Sequence, residues 1–433
     1  MTAKPLDSLI KHAKGVLAKN ALWMSFGQIS RLAIQAAYFT LIARSLGVSN
    51  YGAFAGVVAL VAMTCPFAAM GRGNLLIKNV ARDPGSFPKM WGRALATTTT
   101  FGTVLMGLTL LLSHFILPGE IPLELVGMVA LSDVIGLNLI TISGQAFQAF
   151  EQLHWTAGIN MLISAFRLLG ALIFCMIRPH PSALQWGYVY LISTLFILAT
   201  SLCLVSTKLG RPKLSLPESF SEIREGAYFS IGLSAQTLYN DIDKTMLVRL
   251  STLAATGIYG AAYRIIDVSF SPVAALVYAA YPRMFRKGAT GVRSGLTFAR
   301  ALAWRSAGYA VFIAIVILAG AGLVPVVLGA QYREAAEALR WLAPLPLLKS
   351  IHYFLSDALS GSGHQAMRSA IQVSVAIFNV GINLWLIPRY SWHGAAWSSI
   401  ASDGLLAVWI AWYAHCLERS QRSPELIPSV VAN

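Results

Sequence analysis

Apolar residues run along this chain in long uncharged blocks, and polar residues return mainly at the joints between them. Ser45–Gly71, Ala94–Gly119, Pro179–Thr207 and Ser306–Tyr332 contain no Asp, Glu, Lys or Arg, and each exceeds the ~20 residues a helix needs to cross a bilayer. Read this way, the pattern predicts twelve spanning helices, over 20–44, 51–71, 92–117, 123–148, 154–177, 183–207, 226–249, 256–281, 298–324, 341–361, 367–387 and 394–417. Gly and Pro mark the joints at Leu117-Pro118-Gly119, Arg178-Pro179, Arg211-Pro212 and Pro388. Ahead of the first span, Leu6, Leu9, Ile10, Ala13, Val16 and Leu17 recur at helical spacing among Lys4, Lys11, Lys14 and Lys19. That pattern reads as a short amphipathic helix at the membrane surface (residues 1–19), with a disordered basic tail as the alternative and no secretory signal.

The placement of Lys and Arg then sets an orientation. Of 33 such residues, five lie at membrane depth; the rest, in the joints and at span ends, divide 22 to 6 between the two sides, which places the richer side and both termini in the cytoplasm. The spans form two halves, an N-lobe at 20–207 and a C-lobe at 226–417, joined by a cytoplasmic loop at 208–225 and followed by a tail at 418–433. The halves repeat weakly. Arg44 precedes Tyr51-Gly52-Ala53 as Arg249 precedes Tyr259-Gly260-Ala261; Pro66 and Pro272 follow at similar depth, and Arg72 and Arg283 close each helix. Six helices per half return the chain to the same side, so the repeats are parallel, and transporters of that build place their substrate between the halves. The expected fold is an all-α polytopic membrane protein with two pseudo-symmetric six-helix lobes around a central cavity.

Composition agrees, with 56% hydrophobic residues, 12% charged residues and a mean hydropathy of +0.63. A net charge of +15 would suggest nucleic acid in a soluble chain, but topology accounts for it here, and no nucleic-acid partner is expected. Cys65, Cys175, Cys203 and Cys416 lie in apolar stretches without metal-like spacing, so neither a disulfide framework nor a metal site is expected. No Gly-rich phosphate loop ending in Lys-Ser/Thr occurs, and no cofactor is expected.

The five intramembrane cations are Arg31, Arg167, Lys244, Arg264 and Lys349. Each costs about 2.5–3.5 kcal/mol at the centre of a spanning helix even on mild insertion scales, so their retention points to use. They stand in polar stripes: Gln28, Arg31 and Gln35; Asn138, Thr141 and Gln145; Asn160, Ser164 and Arg167; Asp241 and Lys244; Arg264 and Asp267; Lys349, His352 and Ser356; and Asn379 and Asn383. Polar faces on matching helices of both halves predict one shared cavity. Arg264 with Asp267, and Lys244 with Asp241 and Asn240, read as local pairs. Arg31 and Arg167 have no acid on their own helices, and Asp133 is the one acid deep in the first half, so both are expected to face substrate. Lys349 either faces substrate or is accounted for by snorkelling or by pairing with Asp357. His352 reads first as a packing residue. Asp133, Asp243, Asp357 and Asp403 are the candidates for ion coupling.

Arginine forks and ammonium groups in a low dielectric suit phosphate or diphosphate. Trp23, Tyr38, Phe39, Tyr239, Tyr263 and Tyr353 lie near the same faces and could stack on sugar rings. Ala43-Arg44-Ser45-Leu46-Gly47 with Tyr51-Gly52-Ala53-Phe54, then Tyr239-Asn240-Asp241-Ile242-Asp243-Lys244, then Tyr259-Gly260 with Ala262-Tyr263-Arg264, resemble in order and spacing the signatures of bacterial polysaccharide-unit flippases. These belong to the multidrug/oligosaccharidyl-lipid/polysaccharide exporter superfamily. The resemblance implies a V-shaped pair of six-helix lobes in the bacterial inner membrane. It also implies translocation of an undecaprenyl-diphosphate-linked O-antigen or similar unit to the periplasmic leaflet by alternating access. Asp243 and Lys244 match the family's seventh-helix motif directly. Partners expected with that role are membrane lipids, the lipid-linked glycan, a polysaccharide polymerase and a chain-length regulator.

Two rivals remain at this level. A multidrug and toxin extrusion antiporter shares the fold but needs acids in its cavity, and the first half offers Asp133 alone. A membrane polymerase or glycosyltransferase needs a sizeable outer loop bearing catalytic groups, and the outer loops here are short.

Overall fold

Within hydrocarbon no water satisfies the backbone, so each apolar run must close its hydrogen bonds internally, as a helix does. The structure, a computed structural model, describes the backbone of residues 4–150, 152–177, 181–213, 234, 237 and 240–420. Side chains are described from residue 33 onward within those ranges, apart from Lys78, Ala81, Arg82, Leu153, Tyr278, Ala279, Pro282, Phe285 and Ser420. No strand occurs among the described residues.

Helix α1 (Lys4–Ala68) is broken at Gly47, whose φ of 74° favours a residue without Cβ, and carries Pro66 near its end. A turn with positive φ at Met70 and Gly71 leads to α2 (Arg72–Arg82). Then come α3 (Phe87–Ile116), α4 (Leu123–Ala149), α5 (Leu153–Ile177) and α6 (Ala183–Lys208), the last opened by a reciprocal Ser182–Gln185 capping box. Residues 240–250 form α7, followed by α8 (Leu253–Ala289), α9 (Val292–Gly320), the amphipathic α10 (Arg333–Leu342), α11 (Leu345–Gly361), α12 (Gln365–Tyr390) and α13 (Trp392–Ser420).

Nine stretches among the described residues are long and apolar enough to cross a membrane, and the protein is an all-α multi-span membrane protein. One of them, Ala33–Ile77, takes in most of the two helices expected at 20–44 and 51–71, which meet at Gly47. Helix α11 has 17 residues and buries Lys349, His352, Ser356 and Asp357, so neither its length nor its apolarity marks it as a span. The helix expected at 226–249 is described at Ser234, Thr237 and from Asn240 onward. Most of the 208–225 loop, and the tail beyond Ser420, lie outside the described residues. The surface helix expected at 1–19 has its backbone, from Lys4, continuous with α1.

The chain divides into two compact units, residues 1–45, 67–108 and 127–227 in one, and 46–66, 109–126 and 228–433 in the other. The first is centred on Leu76, Phe87, Trp91, Ile140, Phe147 and Ile197, the second on Phe270, Met284, Leu296, Phe354, Leu359 and Leu406. Exposed Val104, Leu111, Ile173, Ile192, Phe312, Ile315 and Ile377 present the greasy exterior that lipid solvates.

Lipid tails are as apolar as Leu, so close backbone approach at small residues, rather than expulsion of water, holds such helices together. The two Tyr-Gly-Ala segments show this inside the second unit. A methyl group on Gly260 would lie 3.6 Å from Ala55 Cβ and 3.8 Å from the Tyr51 ring, ordinary contacts, so the two motif copies pack on one another. Gly52 and Gly257 are tighter: a methyl on Gly52 would lie 1.8 Å from the Leu253 carbonyl oxygen, and one on Gly257 2.0 Å from that of Val48. Backbone cannot yield as a side-chain tip can. Gly52→Val is therefore expected to destabilise the protein by about 1–3 kcal/mol or more, seen as a lower unfolding midpoint in detergent. Gly381→Ala, at a position with nothing within 4 Å, is expected to leave the midpoint unchanged or slightly raised.

Candidate functional site: two buried charge clusters

Each unit holds ionisable side chains at depth. In the first, α4 passes through a π-helical stretch at Leu131–Leu137 that carries Ser132 and Asp133 on its buried side. Such a register change frees backbone carbonyls, and the Asn138 amide donates to those of Asp133 and Val134 at 3.3 and 3.0 Å. Asp133 faces α5 and α6. Tyr190 donates its hydroxyl to the carboxylate, 2.9 and 3.0 Å from the two oxygens, and Ser132 donates at 3.1 Å. Arg167 Nη2 is 3.6 Å from Asp133 Oδ1 and 3.5 Å from Thr194 Oγ1, and its guanidinium carbon lies 4.0 Å above the Tyr190 ring. The cluster holds one cation and one anion, with an aromatic face completing the solvation of the cation.

The second unit is richer. Lys244 Nζ on α7 lies 2.6 Å from Asp241 Oδ1, one turn back, and 2.9 Å from the Asn240 carbonyl. Lys349 Nζ on α11 donates to the Tyr263 hydroxyl at 2.7 Å and to Asn240 Oδ1 at 3.2 Å. Both ammonium groups lie over the same Tyr263 ring, 4.0 and 4.7 Å from its centroid. Asn240 and Tyr263 thus bring together two lysines 105 positions apart. Asp267 interacts electrostatically with Lys349, Lys244 and Arg264. The lysines are buried, Asp241 and Arg264 are half-buried and Asp267 is exposed, so the acids lie toward the open side of the cluster.

Behind it runs a buried polar network. Asp243 accepts hydrogen bonds from the hydroxyls of Tyr259 and Ser399 (the latter at 2.9 Å) and from the Lys244 amide at 2.8 Å. Asn379 donates to Ser402 at 2.9 Å, Asn383 donates to Asn379 at 2.9 Å, and Ser398 donates to Asn383. His352 Nε2 lies 2.9 Å from Asp403 Oδ1, with both residues buried.

Several sequence expectations find different partners. Lys349 has turned to Tyr263 and Asn240, and Asp357 is held by Arg368 at 3.1 Å, because α12 brings that guanidinium to the end of α11. Arg167, with no acid on its own helix and expected to face substrate, meets Asp133 across helices. Gln145 packs against Gly73 of α2, where a methyl would lie 1.6 Å from its oxygen. Gln35 is half-buried and Asn160 is exposed. The side chains of Gln28 and Arg31 lie outside the described residues. Sequence reasoning passed over Tyr190 and Thr194 on α6, and Tyr259, Ser398, Ser399 and Ser402. The polar spacing of Tyr190, Ser193, Thr194 and Ser201, and of Ser398, Ser399, Ser402 and Asp403, was the signal available.

The fold that holds these charged clusters is similar to that of solved transporters of the MOP superfamily. A multidrug resistance MATE family transporter of that superfamily, in an inward-facing conformation, superposes with a TM-score of 0.72 at 14% identity, over 90% of this chain and 96% of its own. The lipid II flippase MurJ, in an inward closed conformation, gives 0.70 at 11% identity, over 91% and 87%. A MOP superfamily transporter from Pyrococcus furiosus, described as having a binding pocket of reverse polarity, gives 0.53 at 15% identity, over 91% and 95%. No curated protein matches the chain in sequence. Residues 17–287 match the family described as polysaccharide biosynthesis protein, and the chain belongs to that family.

The first-unit cluster is testable as a pair. Removing one partner of a buried ion pair costs about 3–5 kcal/mol, whereas replacing both with apolar groups is often neutral. Asp133→Leu is expected to lower the unfolding midpoint in detergent sharply, and Asp133→Leu with Arg167→Met to recover most of the loss. Additive losses in the double variant would mean that the two charges do not interact.

Proposed function

We propose that this protein is a flippase that carries an undecaprenyl-diphosphate-linked oligosaccharide from the cytoplasmic to the periplasmic leaflet of the bacterial inner membrane. It serves O-antigen or exopolysaccharide assembly and makes or breaks no covalent bond. The reading takes the chain as twelve spans in two six-helix lobes with both termini in the cytoplasm. The observation that carries it is the Lys244–Tyr263–Lys349 arrangement, with two ammonium groups on one phenol ring and Asn240 fixing both. Two adjacent point charges suit two phosphates joined through one oxygen, whereas a cationic drug would meet like charge. Family membership supplies the biosynthetic setting.

Mechanistically, the diphosphate displaces Asp241 and Asp267 as counter-ions while the polyprenyl tail stays in lipid. Alternating access then exposes the headgroup to the other side. Arg264 adds charge at the open edge of the cluster. In this reading Asp133, Asp243, Asp357 and Asp403 remain the candidates for ion coupling.

Hydrogen bonds to charged groups contribute about 1.5–3 kcal/mol each, so Lys244→Gln or Lys349→Gln is expected to lower transport about tenfold or more. The double variant should abolish it at unchanged membrane abundance. Surface glycan display in a strain lacking the native gene is the readout. Full display by the double variant would overturn the proposal.

A further inference from the structure

Lys349 shares its helix with a second base one turn away, His352, and one carboxylate serves both. His352 Nε2 is 2.9 Å from Asp403 Oδ1, with His352 1% and Asp403 4% exposed. Asp403 also acts electrostatically on Lys349, as Asp267 does. The imidazole is otherwise fixed by stacking on Tyr353, 5.0 Å between ring centroids.

The groups around this pair are well defined. On α11 they are Lys349 and Tyr353; on α8, Tyr259, Tyr263 and Asp267; on α7, Asp243 and Lys244. Helix α12 contributes the uncharged Gln372, Asn379 and Asn383, and the buried face of α9 carries no ionisable side chain. Asp243 is satisfied by Tyr259, Ser399 and the Lys244 amide, so Asp403 is the acid left to answer both His352 and Lys349.

With His352 neutral, the charge of Asp403 offsets that of Lys349. A proton on His352 turns the pair into an imidazolium–carboxylate couple of zero net charge, and the ammonium of Lys349 is left to attract an external anion. We infer that His352 and Asp403 form a proton-binding site whose occupancy strengthens anion binding at the Lys244–Lys349 pair. The inference rests on the reading of those lysines as the diphosphate site. By linkage the anion raises the proton affinity of the pair in equal measure, so proton and headgroup bind together rather than in competition. Antiport through this pair would require the opposite sign.

One added charge roughly 10 Å away, at an effective dielectric near 20, changes anion affinity about tenfold. The test uses the full-length protein in nanodiscs with inorganic pyrophosphate as probe, titrated calorimetrically from about pH 5.5 to 8.5, a range that brackets imidazole titration. Comparing variants at equal pH cancels the probe's own protonation. The wild-type protein should bind about tenfold more tightly than His352→Gln at the acidic end and equally at the alkaline end. Asp403→Asn should bind more tightly than wild type at the alkaline end, a gain that a merely structural role would not give.

A wild-type to His352→Gln affinity ratio independent of pH, with Lys349→Gln still weakening binding, would overturn this inference alone. Absence of pyrophosphate binding by the wild type at every pH would overturn the diphosphate site, and the inference with it.

Discussion

A charge at membrane depth must carry its own solvation, and a tyrosine ring with a shared acid supplies it in both units. The Arg167 guanidinium carbon lies 4.0 Å over Tyr190 and the Lys244 ammonium nitrogen 4.0 Å over Tyr263, each with a carboxylate within ion-pair distance. The helices are consequently placed by their polar contacts as much as by their apolar ones. The π-helical stretch of α4 turns Asp133 toward Tyr190, and the short α11 sets Lys349 against Tyr263. Aromatic faces contribute about 0.5–2 kcal/mol, enough to hold a cation but too little to keep it from a phosphate.

Much of the architecture was legible because membranes punish ambiguity. An apolar run of span length has one structural solution, and the joints at Pro118, Gly119 and Pro212 fall outside helices, whereas Pro388, expected as a joint, lies inside the last turn of α12. Local pairs were legible for the same reason. Lys244 with Asp241 follows from helical spacing alone, and Asn379 with Asn383 forms the expected stripe, joined side chain to side chain. The limits were equally physical. Asp133 with Arg167 and His352 with Asp403 join residues 34 and 51 positions apart, and no periodicity reports which helices become neighbours. Asp357 looked like the partner of Lys349 because both lie on one helix, yet they are eight residues apart, and Arg368 approaches Asp357 from the next helix. The break of α1 at Gly47, by contrast, falls in the joint expected between residues 44 and 51.

The two Tyr-Gly-Ala segments show how a weak sequence repeat becomes a structural contact. Gly52 and Gly257 each meet the backbone carbonyl of the other helix, so any side chain at either position would pry the pair apart. Small residues at such a contact permit close approach without the anchoring that interdigitated side chains would bring. The same helix α8 carries Tyr259, Tyr263 and Asp267 further along, so this close approach helps to set the position of the second cluster.

The clusters differ in balance, and the difference assigns them different work. In the first unit Arg167 answers Asp133 one for one, and Ser132 and Tyr190 donate to the carboxylate, while Arg167 Nε is buried without a hydrogen-bond partner. An anion arriving there would have to displace a partner that is itself well held. In the second unit Lys244, Arg264 and Lys349 face Asp241 and Asp267, with Asp403 divided between Lys349 and His352. The acids on the open side are the half-buried Asp241 and the exposed Asp267, so on the proposed function they can return to water when a diphosphate takes their place. Exchange of one anion for another at fixed cations avoids the cost of creating a buried charge. On the proposed function, therefore, the second unit takes the headgroup, and the first holds its own charges in place while the transport cycle turns.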